Sequence, residues 1–592
     1  MPSTEEPANG SPARRAALIA CVLVLVVYFA VSSSGGLNAY FTGDDAGNLL
    51  HSHKYWEHSL ADVIGSCLRV ATPAFRPLGG VFYFTLYNLA GFNPLPFRAV
   101  CLTLMLANLL LAFALLRRLS GSLKAALLGA ILIANHPAML ELLYSSGTIY
   151  EILCFFFYFL TVLCYLVWRE TRQLAGAATL SWSQLAGLLV LTGCALDSKE
   201  MAMTLPGALL LIELVYFPPR SWSWRETVRF VLRQGRGALI TGALVAPTIA
   251  VKVLTRNPLS EDTRYGSPTL RRLLRGMRAY QSFLLYRGLS PSGLSTLKWL
   301  ALWAAMWVAA TALRSRPMKF GLGLLMVSLA PIALIDVRNG YMVYIPLVGW
   351  ALYVGALFQW LCDSIFVADS PRLQAAIRFC LLAAAAALIV NTHTAELAGY
   401  RAYFERYETG NRRIVERLRQ VHPHLPPGAA LLLVDDPLPP GFELLFLTRL
   451  AYADPALEVD RIKMLAQPPS QEELTRYDFV LAGNWQLHDV RGIADPRPPL
   501  EVRFGAPTGK PGEGYTVEIP ELAGKTVDVI ARTIARNGSD RRTIQQRCTV
   551  DASGRATLLL TPDSTPVTIQ VRWVRPRGGD WISAAGELDI PR

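Results

Sequence analysis

Residues 97–118 read FRAVCLTLMLANLLLAFALLRR: twenty residues to Leu116 carrying one charge, Arg98, then closed by Arg117 and Arg118. About 20 mainly apolar residues are what a membrane helix needs, and a basic pair at the end of one marks a cytoplasmic flank. The same signature recurs outward in both directions. Apolar runs lie at 16–33, 122–137, 149–168, 184–197, 202–217, 238–254, 297–313, 320–335, 342–361 and 374–391. With the first, they predict eleven spans. The chain has 592 residues, 52% hydrophobic and 17% charged. Soluble domains carry about 25% charged residues, so an ordinary soluble enzyme is excluded, and so is a disordered chain, which could not hold so much apolar surface.

The runs at 184–197 and 202–217 are separated by Asp197-Ser198-Lys199-Glu200. Four polar residues at mid-membrane would be costly, so the pair reads as a helical hairpin with its turn at one surface. The net charge of +13 goes mostly to loops of one side. Arg14 and Arg15, Arg117 and Arg118, Arg169 and Arg172, the arginines at 220, 225, 229, 233 and 236, then Arg314, Arg316, Lys319 and Arg372 share that side. The short opposite loops hold only Lys199 and Arg338. By the positive-inside rule the N-terminus is cytoplasmic and, with an odd number of spans, the C-terminus is outside. The first run is long for a signal-peptide core and is preferred as an uncleaved anchor. Nine cysteines, six of them inside apolar runs, make no disulfide framework.

Three outer pieces are large. Residues 34–96 contain an aromatic stretch, Val81 to Tyr87, suited to a membrane surface. In 255–296, Leu270, Leu273, Leu274, Met277 and Leu284 share one helical face while Arg271, Arg272, Arg275 and Arg278 share another. That pattern predicts an interfacial helix lying on anionic headgroups, or one that helps hold a lipid phosphate. The tail from 392 alternates helix and strand to about residue 500: a charged helix at 401–420, strands at Ala430–Val434, 457–463 and Phe479–Leu481, and a helix at 441–452. From 512 it turns to short strands such as Thr526–Ile530 and Val567–Val571, with a hairpin signal at Asn537-Gly538 that also matches a glycosylation sequon.

No Walker loop, zinc spacing or nucleophile elbow stands out. Polar groups gather instead on the outer side, near span ends. Asp44 and Asp45 can perform acid/base work, or cap a helix beginning near Ala46. Arg76 and Arg338 suit phosphate contact, against the plainer reading of a surface arginine at Arg76. His136, with Glu141 five residues on, is a base, a metal ligand, a substrate hydrogen-bond donor or a helix-end residue before Pro137. Lys199 and Glu200 form an ion pair with each other, or Lys199 meets an anionic headgroup. Acids that deprotonate a hydroxyl and cations that stabilise a leaving phosphate fit group transfer from a lipid phosphate.

The ordered set of Asp44-Asp45, Arg76-Pro77-Leu78, Phe92-Asn93-Pro94 with Phe97-Arg98, His136-Pro137 with Glu141, Lys199-Glu200, then Arg338, Tyr341 and Tyr344-Ile345-Pro346 resembles the GT-C superfamily of multi-spanning glycosyltransferases. It is most similar to the protein O-mannosyltransferase type and to the transmembrane O-mannosyltransferases with TPR repeats, which this chain lacks. The resemblance covers about 38–346. It implies a polytopic α-helical membrane protein with about 11 transmembrane helices over 1–391 and outer loops 34–96 and 255–296. An extracytoplasmic α/β unit over 392–511 and a small β-sandwich-like domain over 512–592 would follow. It implies inverting transfer of a sugar from a polyprenyl-phosphate donor to a hydroxyl of a glycan, lipid or protein acceptor outside the cytoplasm, in a setting such as a bacterial inner membrane. Asp44 would be general base with Asp45 in support; Arg338, Lys199 and Arg76 would hold the donor phosphate; His136, Glu141, Glu200 and Tyr341 would shape the pocket. No cofactor or metal is required, a divalent cation stays open, and nucleic acid is not a partner. A flippase of lipid-linked glycans, or a polysaccharide polymerase or ligase using a lipid-diphosphate donor, are the competing readings.

Overall fold

The computed structural model describes residues 12–55, 76–177, 179–219, 221–254, 269–286, 295–335, 337–364 and 370–434. Beyond these it describes 436–438, 441–465, 469, 474, 476–482 and the strands and turns within 488–589 named or cited below. By internal contacts the chain divides into two units: Met1–Tyr40 with His51–Glu405, and Phe41–Leu50 with Arg406–Arg592.

The larger unit is helical. Its helices are α1 Pro12–Ser33, the end of α2 Gly43–Tyr55, α3 Pro77–Ala90, α4 Pro94–Ser120, α5 Leu123–Ile133, α6 Leu140–Tyr144, α7 Ile149–Leu174, α8 Trp182–Ser198, α9 Leu205–Tyr216 and α10 Trp224–Arg229. There follow α11 Arg236–Leu254, α12 Leu270–Leu284, α13 Thr296–Ala312, α14 Arg316–Ala333, α15 Tyr344–Ser364 and the first part of α16 Pro371–Val421. Each apolar run of the sequence falls on one of them. Among the described residues five helical stretches, holding α1, α4, α7, α15 and α16, are long and apolar enough to cross a membrane, or six if the bent pair at 123–144 is one span. The others are shorter: α9 has 12 residues, roughly 18 Å at 1.5 Å per residue.

Local chemistry sets the ends of these helices. The Asn93 side chain accepts from the Leu95 N–H to start α4, and Gly121 ends it in the left-handed region at φ +67°. Ser181 and Gln184 form a reciprocal capping box at α8. Between α5 and α6 the chain bends by 51°. Asn135 there is left-handed (φ 57°), and Pro137 cannot donate to the preceding turn. Helices α8 and α9 are joined by a turn over Glu200–Thr204.

The packing between helices is close at glycines. A Cβ on Gly321 would lie 2.5 Å from the Gly349 carbonyl oxygen, and one on Gly349 2.6 Å from that of Gly321, so α14 and α15 meet backbone to backbone. Small residues at such crossings are how apolar helices associate where lipid offers no hydrophobic drive. Helix α12 is docked by the same device. A Cβ on Gly276 would meet the Ala333 carbonyl oxygen of α14 at 2.4 Å, and Met277, Ala279, Tyr280, Phe283 and Leu284 are buried. The C-terminal half of the predicted interfacial helix therefore packs into protein, while Leu270 and Leu274 stay exposed.

In the smaller unit, β1 Ala430–Leu433, α17 Glu443–Ala451, β2 Glu458–Arg461, β3 Phe479–Ala482 and β4 His488–Asp489 form a sheet of order β2-β1-β3-β4. β1 is parallel to both β2 and β3, and β4 is antiparallel. Ile414 and Leu418, from the end of α16, share a core with Leu431, Leu433, Leu444, Leu457 and Leu481. The charged helix expected at 401–420 is the continuation of the final apolar run: both belong to the 51-residue α16. Two antiparallel sheets follow. One joins β5 Arg503–Phe504, β6 Tyr515–Glu518 and β9 Arg555–Leu558; the other has order β11-β10-β7-β8 with β7 Thr526–Ala535, β8 Arg541–Thr549, β10 Ser564–Arg572 and β11 Glu587–Asp589. Asn537-Gly538 lies outside the described residues.

Candidate functional site

The first turn of α7 faces the turn between α8 and α9, and two ion pairs assemble there. The Lys199 ammonium is paired with the Glu151 carboxylate. Its Nζ also lies 3.7 Å from Met342 Sδ and 5.5 Å from the centroid of the Tyr341 ring. One residue along each strand of chain, Arg76 Nη2 donates to Glu200 Oε2 at 2.8 Å, and its guanidinium sits 5.2 Å from the Tyr150 ring centroid. Lys199 and Glu151 are each 9% exposed at the side chain; Arg76 and Glu200 are 33% and 27% exposed. Burial works against the Arg76 charge, but the Glu200 and Glu151 carboxylates outweigh it and hold its pKa above the usual arginine value. Glu151 also benefits from its place in the first turn of α7, where the helix dipole favours an anion.

A cavity of about 10 Å³ adjoins this cluster, lined by Glu151, Cys154, Lys199, Met201, Tyr341, Met342, Tyr344 and Ile345. It has the volume of about one water. A sugar would need the 340–343 turn to shift. That turn is braced: Asn339 Nδ2 donates to Glu141 Oε2 at 2.7 Å, and the Arg338 N–H donates to Tyr280 Oη at 3.2 Å.

Of the residues singled out in the sequence, Lys199, Tyr341, Glu200 and Arg76 thus come together, and Glu141 reaches the same turn through Asn339. Lys199 pairs with Glu151 rather than with its neighbour Glu200, because the Lys199 side chain enters the bundle while Glu200 meets Arg76. The Arg338 side chain is exposed. Asp336 lies outside the described residues.

His136 occupies a different buried cluster. Its Nδ1 accepts from the Ala138 N–H at 3.2 Å, capping the turn after Pro137. Its ring stacks on Tyr286 at 4.7 Å and meets His393 edge-on at 5.6 Å. His393 bonds Tyr28 Oη through Nδ1 (2.9 Å) and Tyr286 Oη through Nε2 (2.8 Å). Among the described residues no three His, Cys, Asp or Glu side chains converge to hold a metal ion.

Asp44 and Asp45 lie in the smaller unit and differ sharply. Thr42 caps α2, with its carbonyl accepting from the Ala46 N–H. Asp45 is fully buried, and its Oδ2 accepts from the Thr42 N–H (2.8 Å) and hydroxyl (3.0 Å). This is the reciprocal arrangement of a capping box. Asp44 is exposed. The turn is held from within its own unit: Asn411 Nδ2 donates to the Phe41 carbonyl at 3.3 Å, and Gly43 lies against Glu443 so closely that a Cβ would overlap it. Just upstream, in the larger unit, buried Arg98 donates to the carbonyls of Tyr40 (2.7 Å) and Ala39 (3.4 Å).

The sequence reading missed Glu151, Asn339 and His393. Glu151 and His393 each stand alone within or beside an apolar run, and an isolated ionisable residue there is itself a signal.

No family model and no curated protein matches the chain. Among solved structures, it is similar to ArnT from Cupriavidus metallidurans bound to undecaprenyl phosphate: 14% identity, TM-score 0.44, over 79% of this chain and 92% of that one. It is also similar to the oligosaccharyltransferase of Archaeoglobus fulgidus in its apo form, at 10% identity and TM-score 0.44, over 98% and 97% of the two chains.

Proposed function

We propose that the chain is a membrane glycosyltransferase that moves a sugar from a polyprenyl-phosphate donor to an acceptor hydroxyl on the extracytoplasmic side. The observation that carries the reading is the paired cluster of Lys199, Glu151, Arg76 and Glu200 at the ends of apolar helices. Charges taken out of water must be repaid by partners, and a purely structural role would be served as well by apolar side chains.

The chemistry follows from the groups present. The acceptor oxygen attacks the anomeric carbon as Asp44 takes its proton, and the bond from that carbon to the lipid phosphate breaks with inversion. Negative charge grows on the departing phosphate, and Lys199 and Arg76 are the cations proposed to meet it. Each is held in place by a carboxylate beforehand, so little reorganisation is needed when phosphate competes for its N–H groups. Asp45 supports Asp44 by fixing the turn rather than by touching substrate. Tyr341, Glu200 and Glu141 border the sugar, with the 340–343 turn moving to admit it. His136 is assigned to shaping the protein around Tyr286.

The test is transfer itself. Membranes carrying the chain are given radiolabelled polyprenyl-phosphate sugars, and label is followed into hydroxyl-bearing acceptors. Labelled product that disappears in Lys199→Gln supports the reading. Donor that crosses the bilayer without forming any product would replace it with the flippase reading.

A further inference from the structure

We propose a second anion site, remote in sequence from the cluster above, where the phosphate headgroup of an anionic membrane lipid binds between α12 and α13. A cavity of about 730 Å³ lies there, lined by Thr269, Arg271, Arg272, Leu274, Arg275, Arg278, Thr296 and Trp299. Among the described residues of this lining every polar side chain can donate a hydrogen bond, and none is acidic. Arg271 and Arg275 are exposed and have no acidic partner among the described residues. Arg278 Nη1 donates to Thr296 Oγ1 at 2.9 Å, which fixes one wall.

An independent observation points to a ligand that accepts hydrogen bonds. Trp299 is 5% exposed, yet its Nε1–H has no acceptor among the described residues. Trp303, one turn further along α13, donates its own Nε1–H to Gln281 at 2.7 Å. A buried indole N–H normally finds a partner, and a phosphate oxygen in the arginine cavity supplies one. The cavity also takes in the N-terminal turns of both helices, where backbone N–H groups and dipoles favour an anion.

The lipid source follows from what adjoins the cavity. Leu270, next to Thr269 and Arg271 on α12, and Leu297 and Leu300, next to Thr296 and Trp299 on α13, are exposed, and the rest of α13 is apolar. They offer a path for acyl chains that a free phosphate would not use. Docking by Gly276 and the buried residues of α12 leaves the arginine face presented outward as a rigid site rather than as a sliding surface helix.

The experiment uses the full chain in nanodiscs of phosphatidylcholine alone or mixed with phosphatidylglycerol, with retained lipid read by native mass spectrometry. Wild type is expected to retain phosphatidylglycerol over phosphatidylcholine. Arg271→Gln/Arg275→Gln is expected to lose that preference on the order of tenfold or more, since each basic residue near a surface contributes appreciably to binding an anionic lipid. Trp299→Phe keeps the ring and removes the donor; it should weaken retention about tenfold, as loss of a charge-assisted hydrogen bond does, with the unfolding temperature unchanged. Arg229→Gln, at an exposed arginine elsewhere, should retain the lipid. Equal retention of both lipids by wild type, equal loss in Arg229→Gln, an unaffected Trp299→Phe, or displacement of the lipid by inorganic phosphate would each overturn the proposal.

Discussion

Replacing Lys199 by Met leaves the Glu151 carboxylate without the partner that its burial requires. Both side chains are 9% exposed, so water can replace little of the lost interaction. Breaking a buried pair from one side costs about 3–5 kcal/mol, against about 0–1 kcal/mol for an exposed pair. The Tyr341 ring at 5.5 Å adds a cation–π contribution of about 0.5–2 kcal/mol that is lost in the same variant. Glu151→Gln should cost less, because the amide still accepts a hydrogen bond from the ammonium. The double variant Glu151→Gln/Lys199→Met removes both charges and should be more stable than the sum of the singles by at least about 2 kcal/mol. The assay is unfolding of the detergent-solubilised protein, with the four forms compared as a cycle. Singles that cost under about 1 kcal/mol and add without coupling would refute the argument that this pair is buried and mutually dependent.

Two further perturbations read other parts of the same account. Gly276→Ala should destabilise the larger unit by about 1–3 kcal/mol through overpacking against the Ala333 backbone, seen as a lower unfolding temperature. Asp436→Asn should loosen the α/β sheet, since Asp436 is fully buried and its carboxylate takes Arg461 Nε at 3.0 Å. The expected loss of about 3–5 kcal/mol is checked by faster limited proteolysis within 430–482, with the helical unit unaffected.

The helices were legible wherever one physical signal sufficed. The apolar runs at 97–116, 149–168 and 184–197 marked α4, α7 and α8, and the strands expected at Ala430–Val434 and Phe479–Leu481 form as β1 and β3. The continuity of α16 was not legible, because hydropathy falls from apolar to charged near residue 392 while helix propensity stays high. The bend at Asn135 was half legible: Pro137 announced a break, while asparagine only permits the left-handed turn and does not require it. At the site, the sequence named Lys199 and Arg76 and mistook the partner of the first. Ion pairs form across the bundle, between first turns and tight turns that only tertiary packing brings together. Glu151, 48 residues from Lys199, is such a partner. Asp44 was expected as base with Asp45 in support; the capping geometry of Thr42, which buries Asp45 and leaves Asp44 exposed, gives the two different surroundings.

That separation permits the most direct test of the central claim, that this chain forms a glycosidic bond with Asp44 as proton acceptor. Sugar transfer from a radiolabelled polyprenyl-phosphate donor is measured in membranes bearing wild type, Asp44→Asn or Asp45→Ala at matched expression and folding. Asp44→Asn should reduce transfer by about 10²–10⁴-fold, the contribution of a positioned general base. Asp45→Ala should cost about 1 kcal/mol of stability as a lost cap while keeping most of the transfer. Full activity in a folded Asp44→Asn protein would contradict the account.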